Sequence, residues 1–237
     1  MIRLITGAIG SGKTLFACSN LTNYLNEYDL IYCNIEGIQP LFFWSDTVDN
    51  LIACDIDYSS DAMMSFIREK SYDTAVSKLF IIDEAAFYFL NDKKQLDKEF
   101  LKFMAYSRHY GADFVFICQE PAQLHYQLRH LVNEHIHLRR KWGTGLCTVL
   151  RKQGIIYETQ NSLALREQIR SGDILSSRWF IKKKYFDAYT SALTFKHQKY
   201  QIPLGIYVRA FIYGLPIIAF ILYLNSYISN FRGFGNV

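Results

Sequence analysis

At 237 residues the chain is long enough for one sizeable domain and something smaller beside it. Half of the residues are hydrophobic and 16% are aromatic, which excludes a disordered protein. Lys and Arg number 26 against 22 acids, and an excess of +4 is too small to argue nucleic-acid binding from net charge alone. The basic residues gather in the back half, at Arg129, Arg139, Arg140, Lys141 and Arg151 and again from Arg178 to Arg209.

The first element is an apolar strand at residues 2–6, and a chain that opens on a strand lacks the pattern of a secretory signal. Directly behind it, Gly7-Ala8-Ile9-Gly10-Ser11-Gly12-Lys13-Thr14 matches G-x-x-x-x-G-K-[ST] in full and runs into an amphipathic helix at 14–26. Glycines let successive backbone N–H groups turn inward on phosphates, and the helix N-terminus adds to that field. Lys13 is expected to reach the β- and γ-phosphates of ATP, and the Thr14 hydroxyl to hold Mg²⁺.

A second strand at 30–34 is followed by the aromatic run Phe42-Phe43-Trp44, which lacks interleaved basic residues and reads as core or partner contact. After a helix at 62–70, residues 78–83 form an apolar run ending in Asp83-Glu84, a Walker B-like pattern that delivers two acids to a strand's carboxyl end. Asp83 is the expected Mg²⁺ ligand and Glu84 the group that orients and deprotonates the attacking water. Acids at a helix N-terminus give the same dipeptide for a purely structural reason.

A helix at 96–109 leads to a strand at 113–118 and then Gln119, placed to sense the γ-phosphate or cap the strand. Arg108, Arg139 and Arg140 are candidates for a finger reaching a neighbouring subunit's nucleotide, although an ordinary surface arginine looks the same in sequence. A helix at 121–131 precedes a strand at 135–139, where His135 and His137 share a face without an acid or cysteine to complete a metal site. Residues 144–151 and 155–158 read as a hairpin turning at Lys152-Gln153-Gly154. The five cysteines, Cys18, Cys33, Cys54, Cys118 and Cys147, are scattered through apolar runs and read as reduced thiols of a cytoplasmic domain.

Alternating strands and helices predict an α/β P-loop NTPase fold with a mostly parallel central sheet and flanking helices. Residues 1–162 are the expected ATPase domain and 163–206 a basic connector. Residues 210–231 carry no charge, so a transmembrane helix is expected at 207–229 with a short extracytoplasmic tail at 230–237. Six basic residues between Lys182 and Arg209 precede it, which puts the large N-terminal part in the cytoplasm.

Beyond the loop and the acidic pair Ile81-Ile82-Asp83-Glu84-Ala85, the chain carries Ser107-Arg108-His109-Tyr110-Gly111 before the strand ending at Gln119. It also carries Glu134-His135 before Arg139-Arg140, and Phe186-Asp187-Ala188-Tyr189-Thr190-Ser191 before the apolar segment. In this ordered set the chain resembles the zonula occludens toxin (Zot) family, which includes an assembly protein of filamentous phages. The resemblance implies a single-pass ATPase of the host inner membrane, using ATP and Mg²⁺ in a pentameric or hexameric homo-oligomer. Its implied partners are the phage major coat protein, single-stranded phage DNA with its binding protein, and membrane lipid. Only a few residues follow Phe231, so an outer-membrane channel is not an expected partner. A membrane-anchored nucleotide-dependent switch and a DNA translocase are the alternatives that the motifs leave open.

Overall fold

Residues of the central apolar runs alternate between two faces, and both faces are covered, so every residue of such a strand is buried. The computed structural model of the chain describes residues 1–38, 50–57, 59–91, 96–141, 145–157, 159, 162–182, 185, 188–189, 211–213, 215–216 and 220–223. The chain divides into two units, Met1–Lys196 and His197–Val237.

The first unit is an eight-stranded sheet. Its strands are β1 (Ile2–Gly7), β2 (Leu30–Cys33), β3 (Leu51–Ala53), β4 (Lys78–Ile82), β5 (Ala112–Ile117), β6 (Glu134–Arg140), β7 (Leu146–Gln153) and β8 (Leu175–Phe180). They lie in the order β3-β2-β4-β5-β1-β6-β7-β8, with the first six parallel and β7 and β8 added antiparallel. The α/β P-loop NTPase-like fold with a mostly parallel sheet is therefore present.

One face of the sheet carries α1 (Lys13–Glu27), which packs Phe16, Leu21 and Leu25 on Ile5, Leu79, Ile81, Val115 and Ile117. The opposite face is aromatic: Phe80, Phe114 and Phe116 stack in series, with Phe80 and Phe114 centroids 5.1 Å apart. Over them lie α2 (Ser60–Lys70), α3 (Ala85–Tyr88), α4 (Lys98–Ala105) and α5 (Tyr126–Arg129). Ser59 and Asp97 cap α2 and α4 by accepting backbone N–H bonds, which fixes where those helices start.

Several expectations change on folding. The helix expected at 96–109 stops at Ala105 and continues as a 3₁₀ turn, Ser107–Tyr110; that at 121–131 is a 3₁₀ turn, Pro121–Gln123, followed by the short α5. The expected hairpin at Lys152-Gln153-Gly154 is absent among the described residues. Residues 146–153 are one strand between β6 and β8, and Gly154, at φ 77°, ends it beside Glu134. The connector instead contributes α6 (Leu163–Arg170) and the edge strand β8. The 42–44 aromatic run lies outside the described residues, as does most of the expected helix at 207–229. Residues 211–213, 215–216 and 220–223 of that segment are helical and exposed. Among the described residues no helix is long and apolar enough to cross a membrane.

Beneath the carboxyl ends of the strands, β1 and β6 share a buried polar chain. The Ile156 N–H donates to His135 Nδ1 at 2.9 Å, so His135 carries its proton on Nε2 and donates it to Thr6 Oγ1 at 2.7 Å. The Thr6 hydroxyl is then free to donate to His137 Nδ1, 2.8 Å away. Both imidazoles are held neutral. Burial, then His137, lowers the His135 pKa to about 3, and burial, then Arg139 and Lys13, lowers that of His137 to about 4. An unfolded histidine takes up a proton near pH 6.5 while these two do not, so the unfolded state binds more protons and stability falls as the pH drops below that value. Each imidazole should cost about 2 kcal/mol between pH 7 and pH 5. Urea denaturation at the two pH values checks this, with His135→Asn expected to show the smaller pH dependence.

Candidate active site

Parallel strands place their carboxyl ends on one edge, and here that edge collects the motifs scattered through the first 140 residues. The loop from Gly7 to Thr14 joins β1 to α1. Gly10 and Gly12 sit at φ 73° and 91°, the left-handed region that glycine tolerates. At Gly7 even a methyl group is excluded, because a Cβ would lie 2.5 Å from both the Leu138 carbonyl and Ser11 Oγ. Lys13 turns back over the loop and donates to the carbonyls of Gly7 at 3.0 Å and Ala8 at 3.4 Å. Burial lowers its pKa, opposed by the charges of Glu84 and Asp83.

Those two acids arrive from β4. The Thr14 hydroxyl donates to Asp83 Oδ2 at 2.9 Å, joining the start of α1 to the end of β4 across the intervening β5. Burial raises the Asp83 pKa, against the Thr14 hydrogen bond, the Glu84 N–H and the Lys13 charge. Burial and Asp83 raise that of Glu84, which Lys13 opposes. Glu84 has φ 48°, the single non-glycine residue among those described with a left-handed backbone. A residue held there against a steric cost of about 1 kcal/mol marks a fixed position beside the loop.

Gln119 follows β5, between the loop and the acids, and its carbonyl accepts the Gly7 N–H at 3.0 Å. Arg140, at the end of β6, donates to the Gly10 carbonyl at 3.2 Å, so it contacts its own chain's loop. Arg139 precedes it, close enough for its charge to act on His137. Arg108 is elsewhere. It lies in the 3₁₀ turn feeding the amino end of β5, where its charge, after burial, lowers the Met1 ammonium pKa to about 6. The six residues of β1 separate that end from the loop by about 20 Å, so Arg108 does not meet its own chain's site.

The residues suit a triphosphate with a hard divalent cation. The loop is a glycine cradle around a buried ammonium, and Ser11 Oγ is buried without a hydrogen-bond partner among the described residues. Thr14 and Asp83 offer oxygen donors, and Mg²⁺ takes few protein ligands when phosphates supply the rest. The described residues contain no cluster of three His, Cys, Asp or Glu.

The model of the zonular occludens toxin (Zot) family matches residues 1–196. The chain belongs to the Zot family. Among curated proteins it is similar to ORF301 of Pseudomonas phage Pf3, proposed to be an assembly protein, with 31% identity over 232 residues, covering 95% of this chain and 70% of that one. Among solved structures it is similar to the N-terminal domain of zonular occludens toxin from Neisseria meningitidis. That match has 23% identity and a TM-score of 0.56, covering 80% of this chain and 98% of that domain. The resemblance read from the ordered motifs is thus borne out at the level of the family.

Two residues beside the site, Asn34 and Tyr189, have contacts that the sequence did not show. Asn34, just past β2, accepts the Asp83 N–H at 2.6 Å and donates to the Asp83 carbonyl at 3.3 Å, gripping the acid's backbone from both sides. The visible signal is only a polar residue ending an apolar run. Tyr189 packs on the α1 face of the core, and burial, then Cys18 and Asp83, raises its pKa to about 12.

The strained backbone at Glu84 gives a test. At an ordinary site Gly is less stable than Ala by about 0.5–1 kcal/mol. Here Glu84→Gly should be the more stable of the two, because Ala keeps the left-handed strain, and thermal melts of both variants read the order.

Proposed function

We propose that this chain is a membrane-anchored ATPase motor that drives filamentous virion assembly and extrusion through the host inner membrane. The observation that carries the ATPase reading is the meeting of Lys13, Thr14 and Asp83 at one sheet edge, with the Thr14 hydroxyl bonded to Asp83. The assembly reading is supported by similarity to ORF301 of phage Pf3 along 95% of this chain.

In this reading the backbone of Gly7 to Thr14 and the Lys13 ammonium bind the phosphates of ATP. Thr14 and Asp83 hold Mg²⁺, and when bound that ion neutralises charge developing on the phosphates. Glu84 orients water and takes its proton. Its pKa, raised by burial and by Asp83, makes it a stronger base than an ordinary glutamate. Gln119 sits at the γ-phosphate end, and Arg140 steadies the opposite lip of the loop. Subunits form a homo-oligomeric ring, in which Arg108 and Arg139 are available to a neighbour's site. The ring works on coat protein and on single-stranded DNA delivered by its binding protein.

Anchoring rests on the charge-free residues 210–231 and on the exposure of their described apolar side chains, such as Phe211 at 67% and Leu222 at 64%. Apolar side chains so exposed need a lipid or protein covering.

Two experiments test the proposal. Lys13→Ala should lose nucleotide binding and Glu84→Gln should keep binding but lose turnover by 100-fold or more, on the order of the loss of a general base, with progeny release lost in both. A Glu84→Gln variant that still releases phage would favour a nucleotide-dependent switch over a motor. Carbonate extraction with protease protection of a C-terminal tag reads the membrane topology, and recovery in the soluble fraction would refute the anchor.

A further inference from the structure

Asp83 is held from two sides. Thr14, on α1, takes one carboxylate oxygen, while Asn34, just past β2, takes the acid's backbone. Asn34 Oδ1 accepts the Asp83 N–H at 2.6 Å, and Nδ2 donates to the Asp83 carbonyl at 3.3 Å. The second Nδ2 hydrogen goes to the Tyr88 hydroxyl, 3.2 Å away, which donates in turn to the Ile56 carbonyl at 3.3 Å. Of the short side chains only asparagine offers an acceptor and two donors, so this position asks for more than a polar strand end. Tyr88 and Ile56 pack in the phenylalanine-rich core, which gives the amide a firm footing.

The next residue bears the consequence. Glu84 sits at φ 48° and ψ 44°, a left-handed backbone that a residue with a side chain keeps only when its surroundings enforce it. Both flanks show the enforcement. The peptide before Glu84 is pinned by Asn34 at the Asp83 carbonyl and by Asp83 Oδ1, which accepts the Glu84 N–H at 2.9 Å. The Glu84 carbonyl accepts the Phe87 N–H at 2.8 Å. Glu84 also stands at the N-cap of α3, yet its side chain makes no capping hydrogen bond there. Its charge falls instead on Lys13 and Cys118. The carboxylate is therefore turned to the loop rather than to its own helix, and rotation about the N–Cα bond into the right-handed region would carry it away.

We propose that Asn34 is a positioning residue: by fixing the peptide between Asp83 and Glu84 it imposes the left-handed backbone and so aims the Glu84 carboxylate at the nucleotide loop. The Asp83 carboxylate has its own tie to Thr14, so loss of Asn34 strikes the base harder than the metal ligand. The catalytic half of this inference rests on the ATPase reading, and the backbone half does not.

Two measurements on the full chain test the proposal. The first needs no turnover. With Asn34 in place Glu84→Gly is expected to melt above Glu84→Ala, and in an Asn34→Ala background the order should invert, because Ala is the more stable choice once the strain is gone. The second is kinetic. Asn34→Ala should lower kcat about ten-fold or more, towards the roughly 100-fold that a misplacement of about 1 Å costs. Its affinity for a non-hydrolysable ATP analogue with Mg²⁺ should stay at the wild-type value. Asn34→Ala/Glu84→Gln should turn over no more slowly than Glu84→Gln alone, whereas a merely structural role would make the two losses multiply. Should Asn34→Ala fail to fold, Asn34→Asp keeps the shape and the acceptor but loses both donated bonds, and the same outcomes are expected of it. An unchanged melting order, multiplying losses or wild-type kcat in the Asn34 variants would overturn the proposal. A wild type without turnover would overturn the ATPase reading and the role of Glu84 with it, while the melting order would still show whether Asn34 sets the backbone.

Discussion

A single hydrogen bond, from the Thr14 hydroxyl to Asp83, joins two segments 69 residues apart in sequence and two strands apart in the sheet. It requires β4, β5 and β1 to lie side by side in parallel, with their carboxyl ends level. The register meets that requirement, with Ile2 beside Phe114 and Phe80 beside Phe114 across the two ladders. Around the bond, buried Lys13 and the two partly buried acids form a cluster with one more negative than positive charge when all are ionised. Burial disfavours each charge, which is why the ammonium pKa falls and both carboxylate pKa values rise. Such a cluster is poised for added positive charge near Asp83 and added negative charge near Lys13, the pair that a metal–phosphate complex supplies.

The surrounding structure holds this cluster still. Asn34 grips the backbone of Asp83, Gln119 grips that of Gly7, and the close approach of Leu138 leaves Gly7 no room for a side chain. Directly below, the Thr6–His135–His137 chain fills the seam between β1 and β6 with polar atoms that satisfy one another. The two covered faces differ in kind. Aliphatic packing under α1 lies against the loop, whereas the stacked phenylalanines lie beneath the helices that follow the acids.

Elements whose chemistry needs contiguous residues were legible in sequence: the loop, the strands around it and the apolar run ending in Asp83-Glu84. Features that depend on which strands become neighbours were not. Asn34 matters because β2 lies beside β4, and Arg140 meets Gly10 because β6 lies beside β1, whereas Arg108 enters the opposite edge of the sheet. The misread hairpin has a local cause: Lys152-Gln153-Gly154 has turn composition, yet its glycine ends a strand. Strand β8, Leu-Ser-Ser-Arg-Trp-Phe, was hidden because an exposed edge strand has no covered face to impose alternation. The connector that composition left undefined thus supplies the outer edge of the sheet and Trp179, which packs beside the loop.

The central claim is that Thr14 and Asp83 form one metal–nucleotide site with Lys13. Calorimetric titration of a non-hydrolysable ATP analogue, with Mg²⁺ and with EDTA, measures it most directly in the wild type, Asp83→Asn and Lys13→Ala. Wild-type affinity should depend strongly on Mg²⁺, Asp83→Asn should bind with that dependence largely removed, and Lys13→Ala should fail to bind under either condition. Full Mg²⁺ dependence retained by Asp83→Asn would contradict the account.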